Sequence, residues 1–312
     1  MRSAAAIALQ FSNRTSPFAL IQNNLSLEGN LMKRVLLILL LATPFIAHSQ
    51  DSTKAPEWGW KHSLVSSLNL TQVAFTDWAQ GGENALAWAL SLEGKSVNDQ
   101  EKSNWSNSYK FAFGQARLGN LGLRKTDDKI DLETIYTFKL GEYINPYAAA
   151  TMKSQFAQGY KYDDEGNKTP VSKFFDPGYL TQSVGAEYQP IPEFKTRLGV
   201  ALREIFTSEF TGYADDPATT EIEKSRVEGG LESVSEVAWK LDDNILFTSK
   251  LELFAPFETL DEIVVRNDNT IAASVSKYIT VNLNVQLINE KQISPRTQIK
   301  ETLAIGITYK LL

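Results

Sequence analysis

The stretch "ITVNLNVQL", Ile279 to Leu287, puts isoleucine, valine or leucine at every odd position and Thr280, Asn282, Asn284 or Gln286 at every even one. A repeat of two is that of an extended strand whose two faces meet chemically different surroundings. The alternation has no exception across the stretch.

The same pattern extends in both directions. Ile299, Leu303, Ile305, Ile307, Tyr309 and Leu311 alternate with Lys300, Thr302, Ala304, Thr308 and Lys310, with Glu301 the one charged intruder. Ile130, Leu132, Tyr136, Phe138 and Leu140 oppose Asp131, Glu133, Thr137 and Lys139, and Trp105, Tyr109, Phe111 and Phe113 oppose Ser106, Ser108, Lys110 and Ala112. Further segments run near 62–74, 84–94, 145–156, 178–188, 194–206, 225–239, 244–255 and 263–277, which makes twelve in all. Most are about 10 residues or longer, as a tilted membrane-crossing strand requires, and an even count suits a single-chain outer-membrane barrel.

Between the segments, "GEYINP", "QPIPE", "KLDDN" and "KYI" are short, whereas 157–177, 207–224, 255–262 and 288–298 are long and polar. Short and long links therefore alternate from the fourth strand onward, the arrangement of a barrel with turns at one rim and loops at the other. The links Phe75 to Glu83 and Val97 to Asn104 have similar lengths and depart from it. A soluble β-sandwich would also alternate, but with strands of about 5 or 6 residues and apolar faces meeting in a core. Here the face opposite the large apolar residues is small or charged, as a wet lumen would be. Trp58, Trp60, Trp78, Tyr143, Tyr147, Tyr179, Tyr188, Trp239 and Tyr278 fall near strand ends, where aromatic girdles lie. The expected fold is all-β: one transmembrane antiparallel up-and-down barrel of about twelve strands over 62–312.

The bulk numbers agree. Hydrophobic residues make up 43% of the 312, too few for a helical membrane protein, and cysteine is absent, so neither disulfides nor thiolate chemistry enter. Met32, Lys33 and Arg34, then "VLLILLLA", then Ala47-His48-Ser49 have the basic, apolar and small-residue parts of a secretory signal peptide over 32–49. Residues 1–31 then form an upstream extension from a start assigned too early, and 50–61 a periplasmic N-terminal segment. Losing 1–49 removes Arg2, Arg14, Lys33, Arg34 and Glu28 and takes the net charge from -6 to -9. That balance argues against nucleic acid as a partner.

Phe75, Trp78, Gly81, Gly82, Glu83 and Asn84 form a Phe-x-x-Trp-x-x-Gly-Gly-Glu-Asn pattern between two predicted strands. With the signal peptide and the β-rich chain, this motif resembles that of an uncharacterised family, a domain of unknown function, of outer-membrane β-barrel proteins of Bacteroidota. The resemblance implies a fold and a location in the cell outer membrane; it carries no catalytic residue. Physically, Gly81-Gly82 suits a tight reversal, and the motif serves either as a hairpin turn or as a loop that contacts a ligand or plugs the lumen. At the other end, Gly306, Tyr309 and Leu311 resemble the last-strand signal read by the barrel assembly machinery, a partner during biogenesis as outer-membrane lipid is afterwards.

Candidate chemistry is sparse. His62 is the one histidine of the mature chain, and a barrel-embedded lipid hydrolase would have to pair it with Ser63, Ser66 or Ser67. Alternation places His62 and Ser66 on one face, at the start of the first strand, where a polar interfacial role is the simpler reading. Acidic clusters at Asp127-Asp128, Asp163-Asp164-Glu165 and Asp215-Asp216 fall in predicted loops without the ligand order of a calcium loop. No metal or cofactor is indicated. The inward faces carry more: Lys195, Arg197 and Arg203 share one face of the seventh strand, and Glu228, Glu232 and Glu236 one face of the eighth. A registry that sets Arg203 opposite Glu228 also sets Lys195 opposite Glu236. Such charges either stiffen and fill the lumen or line a path through it. The expected function is non-enzymatic: a narrow channel or a porin handling small solutes or lipid, the alternative being a surface scaffold that binds partners.

Overall fold

The computed structural model describes residues 58–74, 83–216 and 218–312. The upstream extension, the signal peptide and 50–57 lie outside them, as do Phe75, Trp78, Gly81 and Gly82 of the motif. In chain order the strands are β1 (Gly59–Val73), β2 (Ala85–Asp99), β3 (Ser103–Leu118), β4 (Arg124–Phe138), β5 (Ile144–Ser154), β6 (Gly159–Tyr162) and β7 (Lys168–Ser172). They continue as β8 (Gly178–Ile191), β9 (Phe194–Phe206), β10 (Ser225–Asp242), β11 (Ile245–Pro256), β12 (Val264–Ser274), β13 (Ile279–Asn289) and β14 (Gln298–Lys310). Twelve of them close into an antiparallel up-and-down barrel, β14 returning to β1, while β6 and β7 form a separate hairpin inside the β5–β8 loop.

Facing is inverted relative to a water-soluble protein. On β9, Leu198 is 62% exposed while its neighbour Arg197 is 2% exposed. On β14, Leu303 and Ile305 are 73% and 63% exposed, whereas Gly306 between Ile305 and Ile307 is buried. Each large aliphatic side chain left in water forgoes about 1.5–3 kcal/mol of burial. A belt of them round a closed barrel is stable only against hydrocarbon, so the barrel spans a membrane. Trp60, Trp105, Tyr143, Tyr188, Trp239 and Tyr278 stand exposed along one edge of this belt, where aromatic rings bridge tail and headgroup regions.

That edge is the rim of short turns: 100–102, 139–143, Pro192-Glu193, Asp243-Asn244 and 275–278. The opposite rim carries 119–123, 155–177, 257–263, 290–297 and the described part of 207–224, and β1 ends and β2 begins on that side. The irregular second link is thereby removed, because β2 and β3 pair as far as Asp99 with Asn104 and the reversal is short. Other differences are local. β1 starts at Gly59, three residues earlier than expected, and β4 starts at Arg124, so Asp127 and Asp128 lie in a strand rather than a loop. Leu140 falls beyond the end of β4. Tyr147 and Tyr179 leave the girdle: Tyr147 is buried beneath the guanidinium of Arg197, and Tyr179, half-buried, lies beneath that of Arg266. The phase of the strand decides this, since both occupy inward positions that strand-end location alone does not reveal.

Candidate functional site

The β9–β10 hairpin turns on Pro192-Glu193 before β9 and the 207–224 loop after it, and its register places Arg203 opposite Glu228 and Lys195 opposite Glu236. Arg203 grips Glu228 through both Nε, at 2.8 Å, and Nη2, at 2.6 Å. Both bonds converge on one oxygen, Oε2, and are charge-assisted. Lys195 Nζ lies 3.3 Å from Glu236 and 3.8 Å from Glu187 on β8.

Arg197 has no such partner, since Val234 stands opposite it. Its guanidinium instead crosses the lumen and donates to Glu133 of β4, whose other oxygen accepts from Lys250 Nζ of β11 at 3.0 Å. Further bonds cross beside it. Lys153 of β5 pairs with Glu252 of β11, and Lys129 of β4 lies 3.5 Å from Asp268 of β12. Lys300 of β14 reaches Asp127 of β4 at 2.8 Å. Near the long-loop rim, Arg203 Nη1 donates to Glu290 at 3.0 Å, and Arg266 Nη2 donates to the other oxygen of Glu290 at 2.9 Å. The charges form a network across the barrel as well as a ladder along one hairpin. Removing ions like these from water is costly, and only their mutual pairing offsets it.

Glu232 is different. It is buried opposite Gly199, and its Oε2, like Nε and Nη1 of nearby Arg197, makes no hydrogen bond among the described residues. Gly199 is required for space: a Cβ there would lie 2.3 Å from the Val184 carbonyl oxygen and 2.7 Å from the Tyr147 hydroxyl.

Beside the network a cavity of about 1070 Å³ runs along β3 and β4, from Asp99, Asn104 and Lys139 at the short-turn rim to Lys125, Gln155 and Tyr213 at the long-loop rim. Acidic and basic side chains line it in equal number, so its wall carries no net charge. The charges at its wet side are open to solvent: Lys110 and Glu93 lie 3.8 Å apart and are both about half exposed. Ordered loops surround the upper mouth. Asp128 accepts from the Phe156 and Ala157 N–H groups at 2.7 and 2.9 Å, and buried Asp176 accepts from the Ser208 and Glu209 N–H groups at 3.0 and 2.8 Å. Asp176 thus ties the two longest loops together. Within the second, burial pushes the Tyr213 phenol up, and the Thr219 hydroxyl with the Asp216 N–H holds the Glu223 carboxyl at about 2. In the first, the side chain of Asn167 holds Asp163 below the ordinary carboxylate range.

The remaining sequence candidates fall apart from this network. Glu83 and Asn84 precede β2, where the Asn84 carbonyl accepts from the Gly119 N–H at 2.7 Å; Gly119 has a φ of +53° and packs under the Glu83 carboxylate. Gly306 faces inward against Asn69, whose Oδ1 occupies the space a Cβ would need, while Tyr309 and Leu311 point outward. His62 stacks on Trp60 with ring centroids 5.8 Å apart, outside the barrel, and its Nδ1 is 2.8 Å from Ser96 Oγ. Ser67 bonds Thr308 in the lumen. The serines weighed at sequence level are not its partner.

Sequence reasoning missed Glu133, Lys250, Glu252, Lys153, Arg266 and Glu290. The first five were visible as charged residues at inward positions of their strands; Glu290 lies beyond β13 in what reads as loop and left no signal. A family model described as "Protein of unknown function (DUF3078)" matches residues 70–160, the stretch from the end of β1 into β6. No curated protein matches the chain. Among solved structures, the translocator domain of autotransporter NalP from Neisseria meningitidis is 12% identical, with 92% of this chain and 97% of that one covered and a TM-score of 0.34. An outer membrane channel from Pseudomonas putida F1 is 11% identical over 83% of this chain and 98% of that one, with a TM-score of 0.39.

Proposed function

We propose that this protein is a narrow, water-filled channel of the outer membrane that passes ions and small solutes. One observation carries the reading: the cavity continues from rim to rim past the ion pairs that brace the lumen. Strands of about 15 residues rising 3.3 Å each and tilted by about 40° give a wall about 38 Å tall. Spread over that height, the cavity is a slender path. In this reading residues 32–49 direct export, the barrel assembly machinery inserts the chain, the short turns face the periplasm and the polar loops face outward. No enzymatic step is assigned, since His62 stacks on an exterior tryptophan and most ionic groups of the lumen are paired with one another.

The test is conductance of the refolded barrel in planar bilayers. Small, weakly selective conductance is expected, since the lining is balanced in charge, and Ser108→Trp, which fills the cavity from β3, should lower it severalfold. A correctly inserted barrel with no conductance would overturn the channel reading. The second reading, a sealed scaffold, is favoured by the trans-luminal pairs that brace β4 and β5 against β9, β11 and β12.

A further inference from the structure

The seam that closes the barrel is shorter than every other junction in it. β1 pairs with β14 only from Val65 with Lys310 to Asn69 with Gly306, whereas the other adjacent barrel strands are joined over longer stretches. Both strands continue toward the long-loop rim, each still bonded to its other neighbour. Continued in the same register, Leu70 to Val73 would lie level with Ile305 to Thr302, yet these described residues do not pair. Thr71, Val73 and Thr302 occupy inward positions and are nevertheless exposed. The hydrogen-bonded ladder between the two strands stops there.

The surface just inside is unlike the rest of the lumen. In this half of β2 and β3 the inward positions pair as Ala87 with Ala116 and Ala89 with Gly114, small and uncharged, with Ala85 and Leu118 at the rim end. Charges border this wall: Asp127 stands beside Gly114 on β4 and meets Lys300 of β14 at 2.8 Å, and Glu93 and Lys110 lie deeper. Outside, the gap is bordered by Leu70, Leu303 and Ile305, which face hydrocarbon.

We propose that the gap is a side port through which a single-chain amphiphile moves between the lumen and the leaflet on the long-loop side; this rests on the membrane-channel reading above. The hydrocarbon chain slides past Leu303 and Leu70 onto the alanine and glycine wall, and the polar head leads toward the Glu93–Lys110 pair. Unpaired strand edges are costly in hydrocarbon, and a head group rich in acceptors and donors satisfies them as it passes. A purely apolar molecule would meet the charged lumen unsolvated. A two-chain lipid would need a wider gap than four residue pairs, about 13 Å of strand, provide.

The chain has no cysteine, so Thr71→Cys with Ala304→Cys forms a reversible clasp across the port. Proteoliposomes are loaded externally with fluorescent dodecyl lysophosphatidylcholine, and the fraction that albumin can no longer extract is followed in time. The barrel should speed this protection, the oxidised double variant should slow it at least fivefold, and reductant should restore it, with ion conductance unchanged throughout. Ala89→Trp, which fills the inner wall beside Asn69 with no bond across the seam, should slow it as well. Unchanged protection with the disulfide formed and in Ala89→Trp, while conductance persists, overturns the port alone. A barrel that inserts but neither conducts nor protects overturns the channel reading and the port with it.

Discussion

Arg203 Nη1 donates to Glu290 Oε1 across 3.0 Å, and this bond joins the long-loop end of β9 to the residue at which the chain leaves β13. Because Arg203 also holds Glu228, it is the centre of a three-residue cluster rather than half of a pair. Arg203→Gln therefore leaves two nearly buried carboxylates short of a cation, and should lower folding stability by about 3–5 kcal/mol. Exchanging Arg203→Glu with Glu228→Arg should recover only part of that loss, since the new glutamate faces Glu290. Urea unfolding in liposomes checks both; full recovery would mean that the Glu290 contact contributes nothing.

Glu133 and Glu232 are both buried carboxylates near Arg197, with opposite expectations. Glu133→Gln strips the charge that neutralises Arg197 and Lys250 and should cost about 3–5 kcal/mol. Glu232 has one oxygen with no partner among the described residues, so Glu232→Gln should change stability by less than about 1 kcal/mol, or raise it. Equal losses in the two variants would contradict this division.

Leu283 points out from β13, while Asn284 donates to Asp268 at 2.6 Å and Thr270 at 2.8 Å inside. Leu283→Arg near the midplane should cost about 2–4 kcal/mol. Asn284→Arg keeps Asp268 as an acceptor and should cost much less. Reversible folding of both variants into liposomes measures the difference, and equal costs would reverse inside and outside.

Glu223 titrates at about 2 rather than 4.5 because the Thr219 hydroxyl and the Asp216 N–H bind its charged form. A depressed carboxylate supports the 207–224 loop fully above its ordinary value, and that support is lost as pH falls from 4.5 toward 2. Carbon-13 titration of the Glu223 carboxyl should show the low midpoint in the native protein and a higher one in Thr219→Ala. A native midpoint near 4.5 would refute the contact.

Much of the architecture was legible because it is local. A period of two assigns strands, and the apolar phase assigns the outward face. Where the link is long, as between β9 and β10, the charges on the two inward faces suggest the register, because setting Arg203 opposite Glu228 also sets Lys195 opposite Glu236. Tyr147 and Tyr179 show where this reading stops: strand ends suggested a girdle, but which way each ring points depends on the phase of a single strand.

The sequence by itself therefore determined a barrel of twelve strands, its facing and its alternating rims, since each depends on residues a few positions apart, and it suggested the hairpin ladder through charges on two strands that follow one another in the chain. Only the tertiary structure decided that Arg197 answers Glu133, that Lys300 answers Asp127, and that Glu290 completes the Arg203 cluster. The physical reason is closure. Which inward side chains meet across a lumen depends on the diameter and stagger at which the last strand returns to the first, and no local pattern records that. The same closure ended the ladder between β1 and β14 at Asn69 and Gly306, a feature that the pattern of neither strand records.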